Sequence, residues 1–207
     1  MGQALDRYHT IRYGTLVERL SEADYLEVGL DLLAEGGLAS VTIANLCERL
    51  GVTKGSFYHH FAGGPDFQQR LLTYWSEDRV RDLLEVVEST PNPLDRIPLM
   101  KRMAVDLHHE AESAIRAWAR SDGRAAEAQR RVDAGRERSL TEAFIDVGIP
   151  KKKASTLAQI GLSILIGTQQ QSYAVDRKRL AAMFDEYQSW LEASMVLPAQ
   201  RRTRKIS

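Results

Sequence analysis

The sequence predicts an all-α fold, and three observations predict it. Apolar residues recur along most of the chain at the i, i+3, i+4, i+7 spacing of one helix face. No segment sustains the apolar/polar alternation, rich in β-branched residues, that marks a strand. Glycine, proline and Ser/Thr/Asp residues sit where helix starts and stops belong. The expected order is three short helices, a break, then about six longer helices.

Each element has its own signals. Ser21 with Asp24 three residues later resembles a capping box. Behind it Leu26, Leu30 and Leu33 recur at helical spacing, and Gly36-Gly37 stops the helix. Thr42 can cap the next helix, whose apolar positions are Ile43, Leu46, Cys47 and Leu50. Gly51 ends it. Thr53 caps a third, short helix, with Val52 and Phe57 as a hydrophobic staple. Gly63-Gly64-Pro65 then breaks the chain. A longer helix is expected from Asp66 to about Glu88, and Thr90–Asp95 (TPNPLD) reads as a linker. Helices are expected over 95–110, 112–120, 123–147, 151–174 and 177–196, before a frayed basic tail at Arg201–Lys205.

Composition bounds the function. The 207 residues suffice for one large domain, or a small one and a larger one. Apolar residues make up 43%, enough to bury a sizeable core. No run of about 18 apolar residues is present to span a membrane. The N-terminal stretch lacks the apolar core of a secretory leader. A single cysteine excludes an internal disulfide framework and suits a reducing compartment, so a cytoplasmic location is expected. The formal net charge is zero. A nucleic-acid partner therefore requires focused positive charge. Arg7, Arg12, Arg19 and Lys54 could supply it, with Glu22, Glu27, Asp31 and Glu35 on another face.

The most informative stretch is CERLGVTKGSFYHHF, Cys47 to Phe61. Its Cys, Lys and His residues could form a metal site or a nucleophile. They could equally be two short helices joined by a tight glycine turn, the helix-turn-helix pattern. Gly51 suits a backbone conformation that a Cβ penalises. Cys47, four residues before it, is small enough for two helices to cross closely and reads as a packing residue. Phe57 and Phe61 face inward. Lys54, Gly55, Ser56, Tyr58 and His59 face outward, and each suits DNA. The Thr53 hydroxyl can meet a phosphate oxygen, as can Thr42 on the preceding helix. Lys54 adds charge. Gly55 lets backbone approach the duplex. Tyr58 can donate to phosphate, and His59 can reach phosphate or a base edge. The same spacing also fits a solvated surface helix with no partner.

Residues 21–75 resemble the DNA-binding domain of the TetR/AcrR family of bacterial transcriptional regulators. The residues that carry this are LDLLAEGGLASVTIANLCERLGVTKGSFYHHF. The resemblance implies that Thr42, Thr53, Lys54, Tyr58 and His59 contact double-stranded operator DNA. It places Gly55, Ser56 and His60 at or beside the interface. The family's usual Ser/Asn-Lys-Glu run after the phenylalanine is replaced here by Ala62-Gly63-Gly64-Pro65-Asp66. The phosphate contact of that lysine is thereby removed, and the N-terminal arm with Arg7, Arg12 or Arg19 could compensate.

The resemblance further implies two units and a tail: an arm and helix-turn-helix domain over 1–65, a helical ligand-binding and dimerisation domain over 66–200, and a basic tail over 201–207. A homodimer is expected through the helices near 151–174 and 177–196. The stretch ASTLAQIGLSILIGT is the most continuously apolar, with Ala158, Gly161 and Gly167 allowing close approach. Leu180, Met183, Phe184, Tyr187, Trp190 and Leu191 would add to that interface. A small-molecule effector is expected among helices 66–147, with Trp75, Arg79, Met103, Leu107, His108, Trp118 and Phe144 as candidate contacts. His108-His109-Glu110 makes a poor metal chelate, because adjacent helical residues point about 100° apart. No metal or cofactor is expected. No P-loop, G-x-G-x-x-G or G-x-S-x-G occurs, which argues against an enzyme. A reading as a repressor thus stands beside two others, an all-helical interaction module without DNA binding and a helical enzyme.

Overall fold

The computed structural model describes residues 20–171 and 174–203, with backbone only for 78–80, 82–84, 86–88 and 194–203. Arg7, Arg12, Arg19, the Arg79 side chain and the side chains of the basic tail lie outside the described residues. Among the described residues there are nine α-helices, one 3-10 turn and no strand. The helices are α1 (Glu22–Gly36), α2 (Ile43–Leu50), α3 (Lys54–His60), α4 (Gly64–Ser89), α5 (Pro93–Asp106), α6 (His109–Trp118), α7 (Gly123–Asp146), α8 (Lys151–Gln171) and α9 (Arg177–Thr203). None of the described helices is long and apolar enough to cross a membrane.

The first three helices begin and end where their local chemistry dictates. Ser21 and Asp24 form a reciprocal capping box at the start of α1. Thr42 accepts from the Asn45 N–H at 3.1 Å to open α2. Thr53 accepts from the Ser56 N–H to open α3. Gly51 closes α2 with φ +67°, a left-handed conformation natural to glycine. The stretch Gly63-Gly64-Pro65 is a helix start rather than a separating loop: Gly63 is the N-cap of α4 and Pro65 lies in its first turn, where its missing N–H costs nothing. The linker is also shorter than expected, because Asn92 caps α5 from Pro93 onward. The next break falls at Leu107-His108, and Pro98 sits inside α5.

One core runs through α1–α4 and continues into the second half of the chain. Tyr25, Leu33, Phe57, Phe61, Phe67 and Leu71 are all essentially fully buried in it. It also takes in Ile115 and Trp118 from α6 and Ala125, Ala128 and Val132 from α7. The aromatic rings pack edge-on or tilted, with centroids 4.9–6.1 Å apart. Burial of each phenyl ring contributes about 1.5–3 kcal/mol. The short helices are therefore anchored by α4 and α6 together. Two smaller cores fill the second half. Phe144, Ile149, Leu157 and Leu191 form one, and Leu107, Leu165, Leu180 and Phe184 the other.

Candidate nucleic-acid interface and ligand cavity

The outward face of α3 is built by its own inward face. Phe57 and Phe61 are buried to 0% and 1% exposure and fix the rotation of the helix. That rotation leaves Tyr58 57% exposed despite its large ring. Thr53, Lys54, Gly55 and His59 are exposed beside it, as is Thr42 at the start of α2. Arg49 on α2 is clamped in two hydrogen bonds by Glu35, at 3.0 and 2.6 Å. Lys54 is the cation of α1–α3 that has no carboxylate partner among the described residues. Two acids of α1 are engaged elsewhere: Glu22 binds Arg70 on α4 at 2.8 Å, and Glu35 binds Arg49. Among the described residues of α2 and α3, Arg49 is thus paired off and Lys54 is not.

Ser56, expected on the outward face, and His60, expected at or beside the interface, are both half-buried. The Ser56 hydroxyl shares a 2.7 Å hydrogen bond with the buried Tyr25 hydroxyl. The His60 ring lies 5.3 Å from the Tyr25 ring, half-buried. Both lie on the flank of α3 that adjoins α1, because the inward arc around Phe57 and Phe61 is wider than two residues. They position the helix. Gly55 has no packing reason inside the chain. A Cβ there would meet only the Thr53 hydroxyl, at the ordinary distance of 3.5 Å.

Cys47 is buried at 6% exposure, and burial pushes its thiol up, with Lys54 opposing more weakly. It packs into the core of α1–α4, where burial disfavours the thiolate. The Ala62–Asp66 segment replaces a phosphate-gripping lysine with a different device. Asp66 accepts from the Ala62 N–H at 2.9 Å, and that bond holds its carboxyl below the usual range, with Arg70 adding to it. Arg70 itself is engaged by Glu22 and Asp66 and lies 5.6 Å over the Phe61 ring.

The second feature is a cavity of about 130 Å³ between α5, α7, α8 and α9. Met103, Leu107 and Phe144 line it, as the sequence suggested. Trp75 and Trp118 do not, since both are buried in the core shared with α1–α4. His108 is exposed at the N-cap of α6. The remaining walls come from α8 and α9, which the sequence assigned to dimerisation: Leu162, Leu165, Phe184, Tyr187 and Leu191. Burial pushes the Tyr187 phenol up to about 12, and its hydroxyl donates to the Leu157 carbonyl. The charged lining residues are Lys101 and Arg136, both cations.

Behind the cavity lies a polar cluster that no local sequence signal announces. Glu112 on α6 is 2% exposed and receives both Arg136 guanidinium Nη atoms at 2.8 Å. The Trp75 indole on α4 donates to the same carboxylate at 3.3 Å. His109, fully buried, donates from Nε2 to the Val105 carbonyl, and its Nδ1 accepts from the Gln169 amide. The histidine pair is therefore split, one exposed and one in the core, and offers no chelate.

The helix-turn-helix geometry and the capped, outward-facing α3 have a direct counterpart among known proteins. Residues 26–63 match the sequence profile described as bacterial regulatory proteins, tetR family. That stretch, from α1 to the start of α4, is where the chain is similar to the TetR family. The HTH-type transcriptional repressor KstR2 of Mycobacterium tuberculosis is 34% identical over 97 residues, covering 44% of this chain and 47% of that protein. The transcriptional regulator AcuR of Cereibacter sphaeroides is 33% identical over 86 residues, covering 41% and 39%. The match thus spans about half the length of these curated relatives or less. Solved TetR-like structures extend the likeness of fold to most of the chain. A transcriptional regulator from Rhodococcus sp. Rha1 superposes with TM-score 0.65 at 19% identity, over 81% of this chain and 94% of the other. A TetR transcription regulator from Haloarcula marismortui gives 0.65 at 18%, over 80% and 95%. The described residues accordingly share an all-helical fold with these structures, with the helix-turn-helix unit first and a larger helical unit after it.

Proposed function

We propose that the chain is a sequence-specific DNA-binding transcriptional regulator, a cytoplasmic homodimeric repressor released from its operator by a small-molecule effector. The observation that carries this is the outward face of α3. Thr53, Lys54, Gly55, Tyr58 and His59 are exposed on a helix whose opposite face is locked by Phe57 and Phe61. A rigid helix with one unpaired cation, hydroxyls and an exposed tyrosine suits a major groove and its phosphates. Thr42 would add a phosphate contact from α2.

One recognition helix reads too few bases, and two held about one helical turn of DNA apart read a palindrome. The outer faces of α8 and α9 are the proposed dimer surface, where Ile160, Met183 and Trp190 remain exposed. The proposed units are residues 1–65 for DNA binding and 66–200 for regulation. The cavity between α5, α7, α8 and α9 is the proposed effector site. Its occupation would act through α4 and α6, both packed into the core of the DNA-binding unit. An effector that favours a different setting of these helices shifts the population away from the DNA-competent spacing.

The test is binding to the DNA flanking the protein's own gene across a salt series, with the Lys54→Ala/Tyr58→Ala variant alongside. Tight binding that falls steeply with salt and is lost in the folded variant is expected. Binding that is equal in the variant, or no specific binding to any sequence in a genome-wide selection, would sink the reading.

A further inference from the structure

The polar side chains on the cavity wall are already bonded to other groups of the chain. From this we infer that the cavity takes a neutral, apolar organic molecule of about one aromatic ring, selected by fit and by the exclusion of charge. This deepens the effector reading and rests on it for the link to DNA.

The polar lining residues are Lys101, Arg136, Tyr187 and Gln188, and each is engaged. Lys101 donates to Asp185 at 2.7 Å and to the Gln188 side-chain oxygen at 3.0 Å. Gln188 in turn donates from Nε2 to Glu192 at 3.0 Å. Both Nη atoms of Arg136 donate to the buried Glu112. The Tyr187 hydroxyl donates to the Leu157 carbonyl. Charge is balanced in the same way, Arg136 against Glu112 and Lys101 against Asp185. Among the described residues, the buried side-chain atoms left without a partner belong to Arg116, Gln129 and Gln169. None of these three lines the cavity.

A ligand with an ionised head would have to break an existing ion pair or enter without a partner. A buried charge without a partner is strongly disfavoured. A hydroxyl meets a smaller form of the same penalty. A neutral apolar body meets neither. The rest of the wall suits such a body, with Met100, Met103, Leu107, Phe144, Leu165 and Phe184 among its lining. Methionine is unbranched and polarizable, so the two on α5 can adapt to bodies of slightly different outline. Phe144 and Phe184 can meet an aromatic ring edge-on or offset. The cavity volume is about 130 Å³. An apolar protein cavity of about 150 Å³ stays dry and holds benzene.

The probes are toluene, phenol, benzoate and benzylammonium: one ring carrying in turn a methyl group, a hydroxyl, an anionic and a cationic head. Each is titrated into the full chain carrying ¹³C-methyl methionine. The Met100 and Met103 methyl resonances, assigned with Met100→Leu and Met103→Leu, report the site. Toluene is expected to shift both, and to bind at least about tenfold more tightly than phenol. Benzoate and benzylammonium are expected to leave both in place at the concentration at which toluene saturates. Ala104→Leu and Leu162→Phe each add volume to the wall, and each is expected to lose toluene binding while melting as the parent does. The probe series on the parent chain decides the ligand class even where a filled variant does not fold. Benzoate or benzylammonium binding as tightly as toluene would overturn the inference. So would phenol binding as tightly as toluene, a folded filled variant that still binds toluene, or no shift with any probe. DNA affinity is measured separately on the same samples. A chain that binds no DNA fails the regulator reading, while the methionine resonances still decide the ligand class.

Discussion

The Tyr25 hydroxyl lies 2.7 Å from the Ser56 hydroxyl, and this bond joins the buried side of α1 to the flank of the recognition helix. Tyr25 is fully buried and also packs against Phe57, His60 and Phe61. Its hydroxyl is thus the one polar atom of that ring, and Ser56 satisfies it. Tyr25→Phe removes the bond while keeping the ring. It is expected to cost about 0.5–1.5 kcal/mol in chemical denaturation, and to weaken DNA binding by letting α3 rotate. A variant as stable as the parent, with unchanged DNA affinity, would show that the aromatic packing alone sets α3.

Two glycines should respond to alanine in opposite ways. At Gly29 an added Cβ would stand 2.7 Å from Phe67 Cζ and 3.2 Å from Leu71 Cδ1. Phe67 is 1% exposed and cannot retreat, so α1 would be forced off α4. Gly29→Ala is expected to destabilise the chain by about 1–3 kcal/mol. At Gly55 the added methyl meets only open space and one hydroxyl. Gly55→Ala is expected to raise stability by up to about 1 kcal/mol, yet to weaken DNA binding by about tenfold or more, the scale of one lost backbone approach. Thermal melts and DNA titrations on both variants check this. A Gly55→Ala chain that binds DNA normally would remove that glycine from the interface.

What could be read from the sequence is what local chemistry controls. Ser21, Thr42 and Thr53 as caps, and Gly51 as the turn, are decided within four residues, and all stand as expected. Inward Phe57 and Phe61 follow from spacing. Periodicity says which residues turn inward and is silent on what stands opposite them. Hence spacing offers Trp75 and Trp118 as cavity walls, whereas the core of α1–α4 holds them. Arg136 and Lys101 had no signal, since each finds its partner across more than twenty residues. Ala158 and Gly161 looked like means of subunit approach. Instead both are buried inside the chain, where a Cβ on Gly161 would come 3.2 Å from Leu140. Leu180, Phe184 and Leu191 are likewise buried within the chain, which leaves Met183 and Trp190 of that set exposed.

His109 sets an acid limit on stability. Burial pushes its pKa down, opposed by the hydrogen bond to the Val105 carbonyl, with Arg177 lowering it further and Glu110 and Glu112 raising it. The carbonyl can only accept, so Nε2 carries the proton and Nδ1 accepts from Gln169, which is the neutral imidazole. In the unfolded chain the same ring titrates at about 6.5. Above that value both states are neutral and the group contributes no pH dependence. Below it the unfolded chain takes up a proton that the folded chain refuses, so stability falls until the lower folded value is reached. Denaturation midpoints are expected to drop as the pH falls below about 6.5, and to drop less in His109→Gln. Equal slopes in the two proteins would assign the loss to other groups.

The outer faces of α8 and α9 carry the remaining prediction. Ile160 is 39% exposed, Met183 38% and Trp190 54%. Thr156, Gln159 and Ser163 accompany Ile160 on the outward side of α8, and Arg179 and Glu186 accompany Met183 and Trp190 on α9. Large exposed apolar groups on two adjacent helices suit a surface that meets its own copy across a two-fold axis. The inner faces of the same helices wall the cavity, so the proposed subunit contact and the effector site share their backbone. Ile160→Glu/Trp190→Glu places four charges in such an interface, two from each subunit. The variant is expected to sediment as a folded monomer, to keep its helical circular dichroism, and to lose operator affinity, because a single α3 reads one half-site. A parent chain that sediments as a monomer at micromolar concentration would end the two-fold reading. A variant that still sediments as a dimer would move the interface to another face.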